Sequence, residues 1–160
     1  MTIPTTGRIL AVDWGEVRIG LALSDPSQIL ATPLETLQRR RGKRFPLPRF
    51  LEITARHQPV GLLVGLPLSS EGTETGPAAA ARELADLLAH RTGLPLELWD
   101  ERMSTARVLT AIRDQGGSIR GRKAEVDALA AAVLLQQFLD SRREKVEQTE
   151  RAERLEKPEW

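Results

Sequence analysis

Residues 8–25, RILAVDWGEVRIGLALSD, constrain the chain more than any other stretch, because they read as two apolar strands joined by a tight reversal. Ile9 to Val12 is apolar with a charge at each end, the pattern of a strand buried on both faces in the middle of a sheet. Asp13 follows at its carboxyl end, and Ile19 to Leu23 returns as a second apolar strand. Gly15 and Gly20 give the backbone freedom that a reversal and a close backbone approach need. A carboxylate at the rim of a hydrophobic sheet is costly to desolvate unless a metal ion or a basic group lies against it. Asp13 is therefore either a turn former or a site carboxylate, and this stretch alone does not separate the two.

Further along, Ile29 to Leu37 reads as a third strand, and Pro33 within it marks an edge position or a break. Arg39, Arg40, Arg41, Lys43 and Arg44 crowd around Gly42, a run that fits a solvated loop first and a phosphate grip second. Pro46 and Pro48 delay the next helix, expected over Phe50 to His57 and ended by Pro59. Gly61 to Val64 is another buried strand. It leads into GLPLSSEGTETG, whose amides and hydroxyls suit phosphate contacts as well as an ordinary strand-to-helix connection. Pro77 opens a helix to about Arg91, with Ala81, Leu84, Leu87 and Leu88 inward and Gly93 as its stop.

Leu96 to Trp99 is the next strand and runs into Asp100-Glu101-Arg102. Alternation along a strand sends Asp100 and Glu101 to opposite sides, so at most one of them shares a site with Asp13. Ser104 and Thr105 are placed to cap a helix over Ala106 to Gln115, and a glycine-rich loop follows from Gly116 to Gly121. A last core helix spans Lys123 to Asp140. Asp127 lies in its first turn, in line with Ala130, Ala131, Leu134 and Phe138, where the helix dipole favours an ionised carboxylate. From Ser141 onward the chain is dense in charge of both signs, as in a solvated helical extension or a disordered tail.

A length of 160 residues with 41% hydrophobic content bounds the chain to one domain, here 1–140, followed by the charged tail over 141–160. The absence of cysteine excludes disulfides, thiol nucleophiles and thiolate zinc sites, and cytoplasmic residence is the simplest reading. No membrane insertion is expected, since the longest apolar run, Ala128 to Leu135, falls far short of the ~20 residues that span a bilayer. With a net charge of +1, attraction to nucleic acid has to come from local basic patches and bound cations. His57 and His90 sit near expected helix ends, away from the motifs, and Trp14 beside Asp13 reads as core before it reads as a base-stacking platform.

Three acids remain as a candidate cluster: Asp13 and Glu101 at strand ends, and Asp127 on the inner face of a late helix. Brought together they repel one another, and one or two divalent cations make the arrangement favourable. Hard oxygen ligands suit Mg2+ or Mn2+, which can hold a scissile phosphate and lower the pKa of an attacking water. The reaction class this names is phosphodiester hydrolysis.

The motifs DWGEVRIGLALSD, VGLPLSSEGTETG, WDERMST and KAEVDALAAAVLLQ stand in the order and spacing of the YqgF/RuvX family, which the chain resembles from Arg8 to about Leu139. The resemblance implies an α/β ribonuclease H-like domain, a mixed five-stranded sheet flanked by helices, related to RuvC-type Holliday junction resolvases. It also implies a nuclease that processes the precursor of 16S ribosomal RNA. By the same resemblance Asp13, Glu101 and Asp127 match the acidic triad, and Arg18, Arg102, Ser104, Thr105 and Lys123, with Gly65 and Pro67, match substrate-binding or supporting positions. Val17 and Glu125 depart from the family's usual basic residues and lower the positive charge near the site.

Structured RNA and branched DNA both fit such a site as partners, and a monomer or a homodimer fits the chain equally. Two other classes compete. An actin-like or sugar-kinase ATPase also sets an Asp-x-Gly hairpin against a phosphate, but clamps its nucleotide between two domains, for which this chain has no room. A non-catalytic nucleic-acid-binding or regulatory module could keep the same fold, although repelling carboxylates beside phosphates bring a pure binder nothing.

Overall fold

The computed structural model of the chain describes residues 2–15, 18–39, 44–67, 76–101 and 123–157, and of 123–125 the backbone alone. The opening hairpin forms as its apolar pattern requires: β1 (Ile9–Asp13) and β2 (Arg18–Ser24) are antiparallel, with Leu10 opposite Leu23 and Asp13 opposite Gly20. With β3 (Ala31–Gln38), β4 (Gly61–Leu66) and β5 (Leu96–Asp100) they make a five-stranded sheet in the order β3-β2-β1-β4-β5. β1 pairs with β4, and β4 with β5, in parallel; β2 and β3 are antiparallel. The sheet is therefore mixed, and β1 lies in its centre, where an all-apolar strand belongs.

Two apolar layers cover it. Leu10, Val12, Leu21 and Val64 face α1 (Leu47–His57) and α2 (Gly76–Thr92), meeting Phe50, Ile53, Leu84 and Leu88. Ile9, Ala11, Ala22 and Leu63 face α3 (Lys123–Glu156) and meet Ala130, Ala131, Leu134 and Phe138. Phe138, Leu134 and Leu135 are almost fully buried, each contributing about 1.5–3 kcal/mol relative to an exposed side chain. Small alanines at 130–132 let α3 lie close to the sheet, and that closeness brings Asp127 onto it.

Several details differ from the expectation. α1 starts at Leu47, not after Pro48, because the first-turn N–H groups have no partner within the helix and a proline there forfeits no bond. Its end at His57 is the expected one, and the capping residue Gln58, in left-handed backbone (φ 48°), donates its N–H to the Thr54 carbonyl at 2.9 Å. Leu87 points outward, 39% exposed. It lies about 100° around the helix from Leu88 and off the line of Ala81, Leu84 and Leu88. β3 begins two residues late because Ile29 and Leu30 donate their amides to Asp25 Oδ1, at 2.8 and 3.0 Å, in a turn. Its edge position agrees with Pro33, around which the pairing with β2 is irregular.

The charged segment after Ser141 continues α3 as helix, exposed from Arg143 on. Arg142 is still tied to the body: it lies over the Phe138 ring, 5.3 Å from its centroid, and donates to the Ile3 carbonyl and to Gln28. Among the described residues no helix is long and apolar enough to cross a membrane. The helix expected over Ala106 to Gln115 and the loop after it lie outside the described residues.

Candidate active site

Alternation along β1 puts Asp13 on the same face as Ile9 and Ala11, towards α3. Its backbone neighbours on both sides are glycines. On β2 it is Gly20 that pairs with Asp13; on β4, Gly65 follows Val64 as Asp13 follows Val12, its register partner. Each glycine is covered by one of the other two acids. A β-carbon at Gly20 would run into the backbone carbonyl of Asp127, and one at Gly65 would run into the carboxylate of Glu101. The glycines thus leave room for two further acids to approach Asp13, one from α3 and one from the end of β5.

Glu101 reaches this position because β5 pairing extends one residue beyond Asp100, with the Glu101 N–H donating to the Leu66 carbonyl at 3.2 Å. Trp99, two residues earlier, packs on Phe138 with ring centroids 5.5 Å apart, which marks the face that Glu101 shares. Asp100 follows Leu98 onto the alternate position, so the expected separation of the two acids holds. Asp127 is buried, 1% exposed, and accepts a hydrogen bond from Arg18 Nε at 2.9 Å. That salt bridge joins the start of β2 to the first turns of α3.

Of the residues marked from the sequence, Asp13, Glu101, Asp127 and Arg18 come to one end of the sheet on one face. Lys123 is the first residue of α3, its side chain outside the description, and Arg102, Ser104 and Thr105 lie outside the described residues. His57 and His90 lie in the last turns of α1 and α2. A feature that the sequence reading did not assemble stands beside Asp13. The Arg39 guanidinium lies over the Trp14 ring, 4.0 Å from its centroid, and Trp14 leans on Phe45 at 6.0 Å. The signals for it were an aromatic residue next to the key acid and the arginine run after β3.

The donor chemistry suits a hard divalent cation, since the groups are carboxylates and the two glycines let the other two acids come close over the sheet beside Asp13. Among the described residues, however, no three acidic or histidine side chains stand as a ready-made metal cage. Oδ2 of Asp127 accepts the hydrogen bond from Arg18. That bond takes one of the acceptor positions of the carboxylate and leaves others for a cation.

A mixed sheet in this order, with carboxylates at the ends of its central strand β1 and its edge strand β5, defines a ribonuclease H-like resolvase fold. Thermus thermophilus RuvC in complex with a Holliday junction substrate aligns with a TM-score of 0.54 over 86% of this chain and 96% of that one, at 17% identity. Fowlpox virus resolvase with Holliday junction DNA aligns at 0.52 over 84% and 97%, at 10% identity. The chain belongs to the RuvX family, described as Holliday junction resolvase, whose model matches residues 7–141. It is 45% identical over 136 residues to a protein of Anaeromyxobacter sp. strain Fw109-5, covering 84% of this chain and 98% of that protein. With a protein of Koribacter versatilis strain Ellin345 it shares 40% over 136 residues, 85% and 88% of the two chains. Both relatives carry the name "Putative pre-16S rRNA nuclease".

Proposed function

We propose that the chain is a metal-dependent nuclease that hydrolyses phosphodiester bonds in the precursor of 16S ribosomal RNA, working in the cytoplasm through the domain of residues 1–140. The observation that carries this reading is the pair of glycines flanking Asp13, one under the Asp127 backbone and the other under the Glu101 carboxylate. A merely structural turn has no use for acids drawn together at the rim of a sheet, where each raises the cost of ionising the others. The names of the relatives supply the substrate.

In this reading Asp13, Glu101 and Asp127 hold Mg2+ or Mn2+. The cation supplies Lewis acidity, offsetting charge on the scissile phosphate and making water a better nucleophile. Arg18 holds Asp127 in place at the site, and contacts the substrate together with Arg102, Ser104, Thr105 and Lys123. The loop after Gly65 positions the sugar-phosphate backbone. A second reading, cleavage of branched DNA, has its support in the family's description as Holliday junction resolvase.

Cleavage of a 16S rRNA precursor and of a four-way DNA junction, run in parallel with manganese, magnesium or chelator, tests both. RNA is expected to be cut, cutting to stop with chelator, and Asp13→Asn to be inactive with its fold intact. Cutting of the junction alone would move the assignment to recombination, and full activity in Asp13→Asn would remove the site.

A further inference from the structure

We propose that Arg39, seated on the ring of Trp14, grips a backbone phosphate of the nucleic acid beside the one being cleaved. The inference rests on the nuclease reading above and adds a contact that the motifs do not contain. Its starting point is position. Trp14 directly follows Asp13, and Arg39 directly follows Gln38, whose register partner on β2 is Arg18. Arg39 therefore emerges at the same end of the sheet as Asp13, Arg18 and Glu101.

Trp14 is half-buried and packs against the core formed with α1 and α2, whereas Asp13 faces α3. The cation thus stands at the other side of the strand end, where a flanking phosphate would pass and not the scissile one. Trp14 is also firmly held. It leans on Phe45, which meets Phe50 edge-on at 5.4 Å, and Phe50 is fully buried. A guanidinium 4.0 Å above such a ring gives up rotamer freedom on folding, before any ligand arrives.

The chemistry follows from how arginine stacks. The ring attracts the flat face of the guanidinium, while its N–H donors lie in the plane and match two phosphate oxygens at once. Need for such a cation is local: net charge is only +1, and the carboxylates repel the polyanion that they are to cut. The same stack argues against Trp14 as a platform for a base, because Arg39 already covers one side of the ring.

The test is equilibrium binding, in chelator, of a fluorescent RNA hairpin with a single-stranded flank and of a four-way DNA junction, across a series of salt concentrations. Arg39→Ala should weaken binding about tenfold near 0.1 M salt and reduce the slope of log affinity against log salt by about one. Arg39→Lys should keep the slope and still lose affinity, since an ammonium neither stacks as a plane nor binds as a fork. Arg56→Ala, an exposed change in the last turn of α1, should match the wild type. Wild-type affinity and slope in Arg39→Ala overturn the proposal while the nuclease reading stands. Binding of neither probe by the wild type in chelator overturns the proposal, and the nuclease reading falls with it only if cleavage with manganese or magnesium is also absent. Should Arg39→Ala fail to fold, wild-type affinity in Arg39→Lys overturns the phosphate grip.

Discussion

Arg18 and Asp127, 109 positions apart in sequence, meet through Nε and Oδ2 at 2.9 Å, and the carboxylate is 1% exposed while the arginine side chain is 23% exposed. One contact thereby fixes the start of β2 to the first turns of α3. Arg18→Met removes a charged partner from a buried acid and should cost about 1–3 kcal/mol, less than the roughly 3–5 kcal/mol of a fully buried pair because the arginine is partly solvated. Urea unfolding should show a lower midpoint with an unchanged slope. In Arg18→Met/Asp127→Asn the loss should be smaller than the sum of the two single losses, as a shared interaction requires.

The two glycines beside Asp13 should separate stability from activity. At Gly20 an added methyl meets the backbone of Asp127, which cannot move without shifting α3, so Gly20→Ala should destabilise by about 1–3 kcal/mol. At Gly65 the obstacle is the end of a flexible glutamate. Gly65→Ala should melt near the wild-type temperature yet cleave poorly, because Glu101 is pushed from its place. Paired thermal melts and cleavage rates check both.

Gln28 is 7% exposed and holds the N-terminal segment to the body. Its amide donates to the Pro4 and Gly7 carbonyls at 2.8 and 2.9 Å and accepts from Arg142 at 3.2 Å. Gln28→Ala strands these groups and should cost about 1–3 kcal/mol. Gln28→Gly also loses the bonds but relieves the positive φ of 56°, and should be the milder change. Chemical denaturation ranks the two.

The amide of Leu30, with those of Ile29, Ser27 and Asp25 itself, holds the Asp25 carboxyl below its usual 3.8 against a smaller opposing effect of desolvation. A carboxylate whose pKa is lower in the folded state stabilises fully above the unfolded value, and that share is lost as pH falls through the folded one. The stability gap between wild type and Asp25→Asn should therefore be widest above about pH 5 and close as pH falls below about 4. Thermal melts of both proteins across that range measure it.

The opening hairpin was legible because its two strands are apolar without interruption, and the close approach at Gly20 followed from a glycine inside such a strand. The opposed directions of Asp100 and Glu101 followed from the two-residue period alone. Leu87 misled, since a leucine one step off a helical line looks the same in sequence as one on it. The start of α1 misled because a proline reads as a breaker until the free first turn is considered. Neither the Arg18–Asp127 bridge nor the seat of Arg39 on Trp14 was legible, because each joins residues whose proximity is created by tertiary packing.

The single helix α3, 34 residues and roughly 51 Å at 1.5 Å per residue, carries Asp127 near one end and the exposed charged segment at the other. Its rotational phase is set by Ala130, Leu134 and Phe138 against the sheet and by Arg142 against the Ile3 carbonyl. Adding or removing one residue between Asp127 and Phe138 would turn the carboxylate by about 100° relative to that anchored face. Past Arg143, where the helix is exposed, the same insertion would turn nothing that faces the site. The spacing between acid and anchor is therefore locked, whereas the length of the outer rod is free to vary.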